Sequence, residues 1–210
     1  MNGAEALVRT LCAHGVTTVF GVPGESYLSV LEAMREHQDT LRFINTRHES
    51  GATFAADAYA RMHGTPGIAF VTRGPGATNA AIGIHTAKQD STPLVMFVGQ
   101  VPTRQLGRES FQEIDYTRMF GEVAKAVIEP LQASEMAAAT AQALAIAMDG
   151  RPGPVIVPVP EDVGTDDAGD APLPTPTARR TIVPDQQSIE AAAKLISEAK
   201  HPVILAGEMV

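Results

Sequence analysis

At 210 residues with 44% apolar side chains, the chain is long enough for one complete core and part of another. Its 24 acidic against 16 basic side chains give a formal charge of -8, which argues against a nucleic-acid partner gripped through its phosphates. A single cysteine, Cys12, excludes an internal disulfide, and neither a basic leader nor a bilayer-length apolar run is present, so the cytoplasm is expected and a membrane partner is not.

Ala6, Leu7, Leu11 and Cys12 recur at helical spacing between Asn2 and His14, and Gly15 supplies the stop. Val16 to Phe20 reads as a buried strand, Ser26 to His37 as an amphipathic helix and Leu41 to Ile44 as a second strand. The alternation continues with an Ala-rich helix from Glu49 to His63, a strand from Gly67 to Val71, a helix from Thr78 to Ala87 and a strand from Leu94 to Val98. Val123 to Ile128 and Val155 to Val159 read as two more strands, separated by a helix from Ser134 to Met148. Six apolar strands alternating with helices predict an α/β fold, a six-stranded parallel sheet with helices on both faces.

From Glu161 to Pro184 the pattern gives way to Asp, Pro, Thr and Gly, with acids at Glu161, Asp162, Asp166, Asp167 and Asp170. A structureless stretch of that length marks a domain boundary. The division expected is a first domain over 1–162, an acidic Pro-rich linker over 163–184, and the truncated opening of a second domain over 185–210. In that last piece Asp185 caps a helix running to about Lys200, and His201 to Gly207 reads as a buried strand.

Ligands of open α/β folds bind outside the carboxyl ends of the strands. Four strands here deliver unusual loops to that edge: GVPGES from Gly21, NTRHES from Asn45, TRGPG from Thr72 and GQVPT from Gly99. Each alone is compatible with an ordinary strand-to-helix turn. Glu49, taken alone, reads as a first-turn acid facing the positive end of a helix dipole. His48 and Glu49 begin an HExxH-like pattern, but Ala52 stands where the second ligand belongs, so no metal site is expected. Gly24 to Leu28 falls one glycine short of a G-x-S-x-G elbow, which leaves Ser26 as a helix cap. Gly74 to Asn79 offers small residues and backbone donors at a helix N-terminus, yet Asn79 replaces the third glycine of a dinucleotide fingerprint. Arg47, Arg73 and Arg104 could meet an acidic substrate, but the default reading is solvated surface arginines.

Several segments together, in order and spacing, resemble one family: VFGVPG from Val19, RHESGATFAADAYAR from Arg47, TRGPGATN from Thr72, QDSTPLVMFVGQVP from Gln89 and SFQEID from Ser110. The chain resembles acetolactate synthase and related thiamine-diphosphate enzymes over residues 1 to about 162, their pyrimidine-binding domain. AAAKLISEAKHPVILAG is similar to the start of the family's central domain.

The resemblance implies that the Glu49 carboxyl bonds to ring nitrogen N1′ of the cofactor's aminopyrimidine and stabilises its imino tautomer. The neighbouring exocyclic nitrogen then takes the thiazolium C2 proton, and the ring attacks a 2-oxo acid and stores the electrons left by lost carbon dioxide. To hold a proton near neutral pH such a carboxyl must be buried. By the same resemblance Pro23 and Gly24 line the pyrimidine pocket, Thr72, Pro75 and Asn79 border it, and Phe111 and Gln112 lie near the substrate channel. Ala52, Ala55, Ala56 and Ala60 suit either close helix contact across a dimer or packing on the sheet.

The sequence departs from the family's common pattern at Ser50, Arg73 and Lys88, which leaves the substrate open. Nothing in the 210 residues resembles the GDG-x(n)-N segment that holds Mg²⁺ and the diphosphate in the family's last domain. By themselves these residues are therefore expected to bind the cofactor weakly and to be inactive. The whole enzyme is expected to be a homodimer or homotetramer acting on a small 2-oxo acid, with FAD in its central domain left open. The alternatives are a simple thiamine-diphosphate decarboxylase, an aldehyde lyase, or a non-catalytic module of the same fold.

Overall fold

A computed structural model of the chain describes residues 1–170, 172–176 and 183–207. Contacts divide the chain into one unit from Met1 to Thr177 and another from Ala178 to Val210. In the first unit the order is α1 (Gly3–Ala13), β1 (Thr18–Gly21), α2 (Leu28–Glu36), β2 (Arg42–Asn45), α3 (Glu49–His63), β3 (Gly67–Val71) and α4 (Gly74–Gln89). There follow β4 (Leu94–Gln100), α5 (Tyr116–Phe120), β5 (Ala126–Val127), α6 (Met136–Met148), β6 (Pro154–Pro160) and α7 (Glu161–Thr165).

The six strands form one sheet in the order β2-β1-β3-β4-β6-β5, and every ladder is parallel. In the central strands successive side chains enter opposite cores. Ile68, Phe70, Val95 and Phe97 face a core with α1, α2 and α6, while Ala69, Val71, Met96 and Val98 face one with α3, α4 and α5. Burial on both faces is what continuous apolar strands require. Strand β2 at one edge is only partly covered, and its pattern is correspondingly more polar.

The order places the functional edge. From β1 the chain moves outward to β2, then crosses back past β1 to β3. With right-handed crossovers this reversal puts α2 on one face and α3 and α4 on the other. The connections after β1 and β3 therefore leave the sheet toward opposite faces, and the carboxyl edge between these strands is the topological switch point at which open α/β sheets bind ligands.

Several elements differ from the sequence reading. Helix α4 begins at Gly74, four residues before Thr78, because Pro75 sits in its first turn, where a missing N–H costs nothing. Strand β5 is only Ala126–Val127. Glu161 to Thr165, read as the start of the linker, is helical, and Val163 within it is buried in the first core. Ala52, Ala56 and Ala60 are buried within the chain, so packing against its own sheet and α4 accounts for them. Cys12 is half-buried against Thr40.

In the second unit α8 (Gln186–Glu198) is capped by Asp185, whose side chain accepts from the Ser188 amide at 2.9 Å. Residues 201–207 form no strand and are exposed, for a lone strand has no ladder to join. Parts of the linker and second-domain readings fall at 171, 177–182 and 208–210, outside the described residues.

Candidate functional site

Glu49 is the first residue of α3, directly after the loop from β2. His48 caps the helix: its Nδ1 accepts from the Ser50 amide and lies 2.8 Å from the Ser50 hydroxyl. Thr53, one turn on, fastens this end of α3 to α4. Its hydroxyl lies 3.3 Å from the Glu49 carbonyl and 3.2 Å from the Ala80 carbonyl. Glu49 is buried, at 9% exposure, and its side chain meets α4 at the switch-point edge of the sheet.

One carboxylate oxygen, Oε2, accepts from Asn79 Nδ2 at 2.9 Å across from α4. The other, Oε1, has no hydrogen-bond partner among the described residues and lies beside Gly76, 3.6 Å from where a Cβ there would stand. One oxygen is thus oriented by the protein and the second is left to a ligand. Beside it Tyr27 is buried and donates to the Val22 carbonyl. Burial, with the Glu49 carboxylate adding to it, pushes the Tyr27 phenol well above its ordinary range, so Tyr27 stays a neutral wall of the site.

The loops after β1 and β3 meet closely. The Ser26 and Thr72 hydroxyls lie 3.0 Å apart, and a Cβ at Gly24 would stand 2.7 Å from Thr72 Cβ, so only glycine permits this approach. Ser26 is therefore a link between loops and caps no helix; Gly24 occupies the N-cap position of the short 3-10 turn from Glu25 to Tyr27. Further along, an open cleft of about 430 Å³ is lined by Gly74, Pro75, Thr78, Asn79, Gln112, Glu113 and Ile114. Gln112, at a positive φ of 63°, receives the Gly74 amide on its carbonyl at 3.0 Å and so joins the 110–115 loop to the start of α4.

Among the predicted residues, Glu49 meets Asn79 and Gly24 meets Thr72 at the switch-point edge, with Gly76 between the two pairs, and Pro75, Asn79 and Gln112 share the cleft. Pro23 is exposed on the β1 loop. Phe111 is 71% exposed and lines no part of that cleft. Sequence reasoning missed Tyr27, and it placed Arg73 in solvent although this residue is 7% exposed. Among the described residues no cluster of three or more His, Cys, Asp or Glu side chains stands ready to hold a metal ion, and no helix is long and apolar enough to cross a membrane.

Asp162 secures the β4 loop. Its carboxylate accepts from the Thr103 amide at 2.9 Å, the Thr103 hydroxyl at 2.6 Å and the Val163 amide at 3.0 Å. Burial raises its pKa, but the bonds from Thr103 and Val163 outweigh burial and leave it below the ordinary value. A lowered carboxyl pKa contributes stability above the unfolded value of about 3.9, which is lost as pH falls through the folded value. We expect Asp162→Ala to lower stability at pH 7 by about 1.5–3 kcal/mol, with the difference from wild type shrinking below about pH 4. Thermal unfolding of both proteins from pH 2.5 to 7 checks this; a difference independent of pH contradicts it.

Over residues 1–119 the chain matches the family described as "Thiamine pyrophosphate enzyme, N-terminal TPP binding domain". It is 41% identical over 213 residues to the probable acetolactate synthase large subunit of Methanocaldococcus jannaschii, with 99% of this chain and 36% of that protein covered. It is 37% identical to the acetolactate synthase large subunit of Parasynechococcus marenigrum, covering 99% of this chain and 35% of that protein. The identity is also 37% to the chloroplastic acetolactate synthase of Arabidopsis thaliana, covering 98% of this chain and 31% of that one. The chain spans about a third of the length of these curated relatives.

Proposed function

Because the chain belongs to the thiamine pyrophosphate enzyme family through its N-terminal TPP binding domain, we propose that it supplies the pyrimidine half of the cofactor site in an acetolactate synthase-type enzyme. The observation that carries this reading is the Glu49 carboxyl. It is buried at the switch point, with Oε2 held by Asn79 and Oε1 beside Gly76 without a hydrogen-bond partner among the described residues.

The pocket suits the edge of an aminopyrimidine. Gly76 brings only backbone to the side of Oε1, and a Cβ there would crowd Thr72 Cγ2 at 2.9 Å. When bound, thiamine diphosphate supplies the carbon nucleophile and the electron sink for decarboxylating a 2-oxo acid. Glu49 holds and releases a proton on Oε1, toward ring nitrogen N1′. Asn79 fixes the carboxyl's rotation, and the neutral Tyr27 keeps that side of it dry. Pro23, Gly24, Thr72 and Pro75 form the pocket's rim, and Phe111 and Gln112 lie toward the substrate. Mg²⁺ and the diphosphate fall, in this reading, to a GDG-type segment outside these 210 residues, and whether a central domain opening near residue 185 carries FAD is left open.

We place the whole enzyme in the cytoplasm, as a homodimer or homotetramer acting on a small 2-oxo acid. Supplied with pyruvate, thiamine diphosphate and Mg²⁺, it is expected to release carbon dioxide and form acetolactate. Acetaldehyde as the sole product would identify a simple decarboxylase instead. Consumption of no 2-oxo acid, with no cofactor bound, would contradict the proposal.

A further inference from the structure

Arg73 sits between Thr72 and Gly74, in the loop after β3, and has no role in the proton-handling site just described. It is an arginine at 7% exposure, with its Nε buried and unpartnered among the described residues. A buried donor without a partner is unfavourable in itself, which directs attention to what holds the side chain there. Its NH2 group pairs with Glu161, the first residue of α7 after β6, and its NH1 lies 3.6 Å from Glu25 Oε1 in the loop after β1.

One guanidinium therefore ties together the loops following β1, β3 and β6. The next residue after Glu161 is Asp162, which holds Thr103 of the β4 loop. Both neighbours of Arg73 touch the site. Thr72 meets Ser26 and closes on Gly24 and Gly76, and the Gly74 amide donates to the Gln112 carbonyl. The Arg73 carbonyl itself receives the Ala77 amide at 3.0 Å and starts α4, the helix that carries Asn79 to Glu49.

We infer that Arg73, clamped by Glu161 and Glu25, is a positioning residue that sets where the Thr72–Asn79 segment stands relative to the Glu49 carboxyl. This role rests on the function proposed above for Glu49.

The test is hydrogen exchange at thiamine diphosphate C2 in the whole enzyme, measured beside cofactor affinity and the thermal midpoint. Arg73→Met and Glu161→Gln are each expected to slow exchange by about ten- to a hundredfold, as small misplacements of reacting groups do. The double variant should be no slower than the worse single one, because both remove the same clamp. Arg73→Lys, which keeps the charge, should recover part of the rate. Should Arg73→Met fail to fold, Glu161→Gln and Arg73→Lys carry the comparison.

Exchange unchanged in the folded variants, while Glu49→Gln slows it, overturns the positioning role. A lowered thermal midpoint with exchange and affinity unchanged also overturns it, because the clamp would then be structural only. Exchange unchanged even in Glu49→Gln overturns the proposed function and the positioning role with it.

Discussion

Glu49→Gln in the whole enzyme is expected to leave thiamine diphosphate bound and to slow exchange of its C2 proton by about 10²- to 10⁴-fold, the range that a positioned acid–base group contributes. The substitution is close to isosteric, and the amide oxygen can still accept from Asn79 Nδ2, so the 2.9 Å bond that orients the group survives. What the amide cannot do is hold and release a proton at the position of Oε1. Binding and proton handling thus separate in this variant. Unchanged exchange would remove Glu49 from the chemistry; lost binding with unchanged exchange per bound cofactor would make it a structural contact only.

The second large effect is on stability, and here two contributions have opposite signs. Gly83 lies in α4 against α3, and Gly-to-Ala within an open helix stabilises by roughly 0.5–1 kcal/mol. A Cβ at Gly83, however, would stand 2.1 Å from Thr53 Oγ1, 2.5 Å from Thr53 Cβ and 3.2 Å from the Thr53 carbonyl carbon. The clash involves the branch point of a stiff side chain and cannot be relieved by swinging its tip. Overpacking of this kind costs about 1–3 kcal/mol, so Gly83→Ala should be destabilising. The midpoint should fall by about 2–4 °C for each kcal/mol. Thr53 also bonds the Glu49 and Ser50 carbonyls, so the same change disturbs the turn that presents Glu49. A raised thermal midpoint would show that α3 and α4 separate freely.

Much of this arrangement was legible in the sequence, for physical reasons that particular elements make plain. Gly67–Val71 was read with its observed limits because a continuous apolar run bounded by turn residues has few alternatives in a sheet covered on both faces. Glu49–His63 was too, because its ends coincide with a charged loop and a glycine in the left-handed region, Gly64 at φ 66°. Glu49 itself stood out only through the ordered segments around it, since a lone first-turn acid has an ordinary explanation.

What escaped was tertiary. The start of α4 at Gly74 is permitted locally by Pro75, but the Gly74 amide is satisfied by the carbonyl of Gln112, a partner distant in sequence that no local pattern marks. Arg73 looked like a surface cation because its partners, Glu25 and Glu161, belong to loops after other strands. A signal did exist. In a parallel sheet, residues just past the carboxyl ends of different strands meet at one edge, and an arginine and two glutamates occupy such positions after β3, β1 and β6. Residues 201–207 have an apolar strand pattern but no ladder partner among the described residues, and pattern alone cannot supply one.

The central claim is that the free oxygen of a buried Glu49 meets the pyrimidine ring of the cofactor. A crystal structure of the whole enzyme with thiamine diphosphate and Mg²⁺ tests it most directly. The account predicts N1′ within hydrogen-bond reach of Glu49 Oε1, roughly 2.6–3.2 Å, with Asn79 still on Oε2 and Gly76 beneath the contact. A pyrimidine bound at another edge of the sheet, or one whose N1′ faces a group other than Glu49, would contradict it.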